Sequence, residues 1–188
     1  MHTLGLLLHL GVGGVQWADA EERAEESAAH AALAGNMCGA AVLGGCVRTG
    51  KGVRDEDVET GVALIKSAAA AGSPFGLCKL AALHETGEHP ELVSANVYRA
   101  AELHRQAAEA PNALGLFNWG YAQMHGYGTV RDVHGAVRSW EGSVALAPAD
   151  GSEEAAAHLG WHLRDWGELA RSQEYLALAS ELGYVQDQ

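Results

Sequence analysis

An apolar–glycine pair recurs along the chain at Leu4-Gly5, Leu43-Gly44, Trp119-Gly120 and Leu159-Gly160, with Leu80-Ala81 as a degenerate fifth copy. The spacings are 39, 37, 39 and 40 residues in a chain of 188. Self-similarity at such a period marks stacked supersecondary units, each too small to bury its own apolar face. A second landmark keeps register with the first. A small residue at Ala24, Gly61, Ala100, Ala136 and Ser172 is followed seven residues on by Ala31, Ala68, Ala107, Ser143 and Ala179. Four residues further comes a helix stop: Gly35, Gly72, Pro111, Ala147 before Pro148, and Gly183. From Ala31, Ala68 and Ala107 the next Leu or Trp of the pair always lies 12 residues away, and only the last junction adds four.

Each unit reads as two helices. Alanine (35 residues) and glycine (24) dominate, aromatics are only 6%, and there are four prolines, which together favour helix over sheet. With 48% apolar residues the chain is too hydrophobic for disorder. The first helices are predicted to start at the caps Asn36, Ser73 with Pro74 behind it, Asn112, and Ser152 before Glu153-Glu154. They end in glycine loops such as Gly50-Lys51-Gly52-Val53 and Gly126-Tyr127-Gly128-Thr129. The second helices are predicted to start near Asp19, Asp57, Ser94, Asp132 and Glu168. The glycine of each pair removes a side chain where the second helix crosses the first, with Ala24, Ala100 and Ala136 facing the gap. The expected fold is an all-α solenoid: a single repeat domain, 1–188, with units near 1–35, 36–72, 73–111, 112–148 and 149–188.

These residues resemble the Sel-one-like repeat family, a relative of the tetratricopeptide repeat. Leu43-Gly44, Val47, Gly50-x-Gly52-Val53, Asp55 and Ala68-Ala69-x-x-Gly72 follow its pattern almost completely. Trp119-Gly120, Gly126-x-Gly128, Asp132 and Ala136 follow it nearly as well, and the first unit closes with Ala31-Ala32-x-x-Gly35. The third loop, Gly87-Glu88-His89-Pro90, departs from it, and the fifth is shortened around Trp166-Gly167. The resemblance implies a right-handed α-solenoid of helix-turn-helix repeats serving as a protein-interaction scaffold or adaptor without catalysis, a module of a larger multiprotein assembly. It also places Leu4-Gly5 in a first repeat, which argues against reading the apolar run Leu4–Val15 as a signal peptide.

In tetratricopeptide-like stacks the first helix of each unit lines the concave face. Mapped onto this chain, the face-lining positions of the third to fifth units are Phe75, Cys78, Leu114, Phe117, Tyr121, Met124, His125, Glu154, Trp161, Arg164 and Asp165. Phe117, Tyr121 and Trp161 are expected to cluster on adjacent units with Arg164 beside them. Aromatics and arginine dominate interface energetics, so this patch is the candidate contact for a protein segment.

Other features point away from chemistry. A formal net charge of −12 argues against nucleic acid and anionic membranes as partners. No run of 18 apolar residues spans a membrane. Cys38, Cys46 and Cys78 form no repeating pair and read as reduced, partly buried thiols of an intracellular compartment. Glu154, His158 and His162 share a helical stripe but span too much rise to converge on one metal, so a solvated polar stripe is expected. His30, His104 and His134 are expected to face solvent. The glycine loops lack the Gly-Lys-Ser/Thr ending of a phosphate loop, and no nucleophile–base pair assembles on neighbouring elements. No cofactor is expected. Leu4, Leu7, Leu8 and Leu10 have no polar cap over them and only five residues follow Gly183, which leaves two readings: a piece of a longer array, or ends covered by end-to-end contacts with neighbouring subunits or by each other. The rival readings are a hydrolase on the same frame and a structural subunit that stacks through its ends.

Overall fold

The computed structural model describes residues 36–49 and 58–184. The first unit, the Gly50–Asp57 loop and the second-helix starts at Asp19 and Asp57 lie outside the described residues. Among the described residues are eight α-helices and no strand: α1 Met37–Thr49, α2 Val58–Ala70, α3 Pro74–Thr86, α4 Val97–Glu109, α5 Ala113–His125, α6 Val133–Val144, α7 Ser152–Asp165 and α8 Leu169–Glu181. The chain divides into two compact units between Asn96 and Val97.

In the first unit α1 and α2 cross glycine to glycine. A Cβ on Gly44 would lie 2.8 Å from the Gly61 carbonyl oxygen, and one on Gly61 would lie 2.6 Å from that of Gly44. This is the close approach that the apolar–glycine pair predicts. Val62, Ile65, Leu83 and Val93 form the core, with Val58, Leu80 and Leu92 packed against it. Ser73 caps α3 by accepting the Gly76 amide at 3.2 Å, and Pro74 follows at the first helical position. After α3 the chain runs back along its own end: the Asn96 amide donates to the His84 carbonyl (2.8 Å), and Lys66 donates to the Leu92 carbonyl (2.6 Å). The Asn96 bond, with His84 Nδ1 at 2.8 Å from the Ser94 carbonyl oxygen, ties residues 94–96 to the end of α3, and α4 begins at Val97 and not near Ser94.

The second unit holds two full hairpins, α5/α6 and α7/α8, with α4 packed on α5. At the α5/α6 crossing a Cβ on Gly120 would lie 2.6 Å from Nε1 of Trp140, and at the α7/α8 crossing one on Gly160 would lie 2.5 Å from Cγ of Leu176. Met124, Ala136, Trp140, Ala155, Leu159 and Leu163 make the core. Asn112 and Asp132 cap α5 and α6, accepting the Gly115 and Gly135 amides at 2.7 and 2.8 Å. Ser152 is not a cap. That role falls to Gly151 at φ +93°, while the buried Ser152 hydroxyl donates to the Ser143 carbonyl at 3.0 Å. The expected stops at Gly72 and Gly183 both hold left-handed glycines, at φ +77° and +98°.

His104 also departs from expectation. It is buried on α4 among Ala100, Leu103 and Ala107, because it lies four residues after Ala100 on the helix's inner face. His134 is exposed, as expected.

Candidate functional site

Two rows of side chains at i, i+4 spacing face one another in the second unit. On α5 the row is Phe117, Tyr121 and His125; on α7 it is Glu154, His158 and His162, prolonged by Trp166 just past the helix end. Such rows are the natural ridges of an α-helix. His158 sits at their centre, its ring 5.5 Å from Phe117, 5.7 Å from Tyr121, 5.2 Å from Trp140 and 5.3 Å from Trp161. His162 stacks on Trp140 at 5.4 Å and reaches Trp166 at 5.9 Å. At the open end Tyr121, His125 and Tyr127 lie mutually within 6.0 Å. The result is a continuous ladder of rings from Tyr127 to Trp166, buried in its middle and exposed at both ends. Tyr121 is 37% exposed, Tyr127 58% and Trp166 47%.

Burial sets the electrostatics. Half-buried among rings, His158 is held down to about 4, with His162 and His125 adding to the depression. Burial also lowers His162, against the opposing pull of Asp165. Both are therefore neutral at pH 7. Glu154 moves the other way: burial raises it, a hydrogen bond from its own backbone opposes this, and Glu153 and Asp150 raise it further. One of its carboxylate oxygens, Oε2, is enclosed without a hydrogen-bond partner.

The face-lining residues fall into two groups. Leu114, Phe117 and Trp161 are half-buried, Tyr121, His125, Arg164 and Asp165 are exposed, and Arg164 lies 4.0 Å from Asp165. Phe117 and Tyr121 lie 6.5 Å apart and are joined to Trp161 through His158. Phe75, Cys78 and Met124 are buried, which corrects their assignment to an open face. Met124 is offset by three residues from the Tyr121 row and turns into the core beside Trp140 and Leu159. Phe75 forms a wall of a cavity of about 280 Å³ in the first unit, shared with Val42, Cys46, Ile65 and Leu83, and Lys79 covers its ring at 5.1 Å.

The Glu154-His158-His162 stripe is thus not a solvated one. Among the described residues no group of three or more His, Cys, Asp or Glu side chains is placed to hold a metal. The sequence did carry a sign of the burial: the same i+4 row continues into Trp166, an apolar ring at the end of what looked polar. Trp140, which closes the ladder from α6, left no comparable sign.

No protein-family model and no curated protein sequence matches the chain. Solved structures do. A Sel1 repeat protein from Oxalobacter formigenes superposes with a TM-score of 0.69 at 21% identity, over 97% of this chain and 72% of that one. The c5321 protein, a protective antigen of uropathogenic Escherichia coli strains with an SLR fold, superposes with a TM-score of 0.64 at 21% identity, over 97% of this chain. The chain spans 38% of the length of that antigen. The described residues therefore share the fold of these two proteins, an all-α solenoid of helical repeats.

Proposed function

We propose that this chain is a non-catalytic protein-binding scaffold or adaptor, a module of a larger multiprotein assembly, and that the α5/α7 ring ladder is its contact face. Solenoids of helical repeats commonly serve protein–protein contact. The observation that carries the reading is the exposed end of the ladder, where Tyr121, His125 and Tyr127 present ring faces over a half-buried aromatic base. Rings fixed by neighbours lose little freedom on binding, and Tyr and Trp recur among the anchors of protein interfaces. The buried hydroxyls of Ser143, Ser152 and Ser172 all bond to backbone carbonyls, which supports a structural use of the chain's hydroxyls.

The test is affinity capture from a lysate of the source cells with the intact chain, read by mass spectrometry. Tyr121→Ala combined with Tyr127→Ala removes exposed rings and is expected to abolish capture of the specific partner while leaving the melting temperature within a few degrees. Capture that survives the double variant overturns the reading. Trp161→Ala is a poorer probe, because Trp161 also packs on Tyr184 at 5.7 Å and against the Ala156-Ala157-Ala179 core.

A further inference from the structure

The cavity of the first unit has a floor and a mouth of different chemistry. Val42, Cys46, Ile65, Phe75 and Leu83 make the floor, each no more than 9% exposed. Arg48, Lys79, Thr86 and Glu88 stand at the mouth, half-buried or exposed. On α3 the lining residues Phe75, Lys79, Leu83 and Thr86 share one helical stripe, which makes the cavity a slot running along roughly 16 Å of helix. Small residues keep the slot open. Gly45 and Ala82 also line it, and a Cβ on Gly45 would meet nothing within 4 Å.

Charge at the mouth is unbalanced. Glu88 accepts from Arg48 at 2.9 Å, so these two neutralise one another. The Lys79 ammonium lies over the Phe75 ring at 5.1 Å, and among the described residues no carboxylate pairs with it. A half-buried cation therefore stands over an apolar floor, in a chain whose formal net charge is −12. That combination fits a ligand with one negative head and an apolar body. At about 280 Å³ the cavity falls near the lower end of the roughly 300–1,000 Å³ usual for small-molecule pockets, so the ligand is short. No Asn or Gln lines the slot, which gives a peptide backbone little to bond.

We infer that the α1/α3 cavity binds a small free aliphatic monocarboxylate, its carboxylate paired with Lys79 and its hydrocarbon tail laid in the slot over Phe75, Ile65 and Leu83. The ion pair orients the ligand, and burial of the tail supplies most of the affinity, about fourfold per methylene removed from water. The site lies in the first unit and does not depend on the α5/α7 face being a contact surface.

The probe is hexanoate, titrated at pH 7 into the intact chain and followed by the methyl NMR signals of Val42, Ile65 and Leu83. Saturable shifts with a Kd on the order of 1 mM are expected, modest for a ligand of this size. Hexanamide keeps the shape without the charge and is expected to bind about fivefold more weakly or worse. Acetate keeps the charge without the tail and is expected to be weaker by about a hundredfold. Lys79→Gln is expected to cost hexanoate about fivefold, whereas Arg138→Gln, which removes an exposed cation of the second unit, changes its affinity less than about twofold. Gly45→Leu puts a side chain into the slot and is expected to abolish the shifts with the melting temperature within a few degrees; Ala82→Leu serves the same purpose should Gly45→Leu unfold. Acetyl-Gly-Gly-Leu with a free carboxyl carries the same head and a similar tail on a peptide. The inference is overturned if hexanamide or acetate binds as tightly as hexanoate, if Lys79→Gln costs no more than Arg138→Gln, if a folded plugged variant binds in full, or if no titration saturates. Tighter binding of the peptide than of hexanoate also overturns it, by assigning the slot to a protein chain end.

Discussion

Trp140 occupies the space that a side chain on Gly120 would need. Its Nε1–H donates to the Phe117 carbonyl at 3.1 Å, and its indole is wholly buried between α5 and α7. A Cβ on Gly120 would stand 2.6 Å from Nε1 and 2.7 Å from Cδ1, with the Ala136 carbonyl oxygen at 3.1 Å. Gly120→Ala therefore forces α6 away or turns the indole, and either movement stretches the Phe117 bond. The expected cost is about 1–3 kcal/mol, the usual range for an overpacked core. Thermal denaturation should show a fall of several degrees, with the near-ultraviolet tryptophan signal altered. Gly45→Ala is the control, since nothing lies within 4 Å of its added Cβ.

The state of His158 predicts how stability varies with acidity. An unfolded chain takes up a proton at this imidazole near pH 6.5, whereas the folded chain resists it down to about 4. Between those values the unfolded state binds more protons, so stability rises with pH. The contribution is complete above about pH 6.5, declines as pH falls, and levels off below about 4. His162 is lowered by burial too and acts in the same direction, while Glu154, raised in the folded state, opposes it in the acidic part of the window. The groups facing the two imidazoles are His125, Asp165 and Arg131. Allowing for solvent screening of a half-buried ring, the His158 effect is roughly 1–2 kcal/mol. Urea unfolding at several pH values should show it, and in His158→Gln the slope between pH 4 and 6.5 should flatten by that amount.

Much of this organisation is legible in the sequence. The glycine crossings at Gly44 and Gly120 followed from the period alone, because a repeated close approach leaves a repeated small residue. A further glycine register lies outside the apolar–glycine period. Gly76 and Gly115 lie three residues after the caps Ser73 and Asn112, and a Cβ at either would press within 2.8 Å of the preceding helix at Ala68 or Ala107. α4 starts later than the sequence pattern predicts, after a loop that departs from the repeat pattern and whose ends are joined by the bond from Asn96 to His84. For the ring ladder, the sequence showed Phe117, Tyr121 and Trp161 but not what joins them. That role belongs to His158, whose polarity suggests solvent and whose burial depends on Trp140 arriving from another helix.

Asn112 provides a separate check on the repeat frame. Its side-chain oxygen accepts the Gly115 amide at 2.7 Å, satisfying one of the donors left free at the start of α5. Asn112→Ala should cost about 1 kcal/mol, and Asn112→Asp or Asn112→Ser much less. For a chain of this size that loss corresponds to a melting-temperature drop of roughly 2–4 °C. Equal losses for Ala and Ser would show that the cap bond contributes nothing.

Ser143 links three segments through one hydroxyl. Its Oγ lies 2.9 Å from the Ala113 carbonyl oxygen and 3.1 Å from that of Gly151, while its own carbonyl accepts the Ser152 hydroxyl. The site is fully buried, so no water replaces a lost bond. At the matching place in the other units the residue is Ala31, Ala68, Ala107 or Ala179. Alanine therefore suits the packing there, and Ser143→Ala isolates the hydrogen bonds from the shape. Its expected cost is about 1–2 kcal/mol, since the one hydroxyl proton shared between the Ala113 and Gly151 carbonyls is lost at the turn that carries four extra residues, the Gly151 carbonyl keeping the Ala155 amide. The double variant Ser143→Ala/Ser152→Ala should cost less than the sum of the singles, because both hydroxyls tie the same α6–α7 turn. Chemical denaturation of the four proteins measures the coupling. Strict additivity would mean that the two hydroxyls act independently and that the turn is held by packing alone.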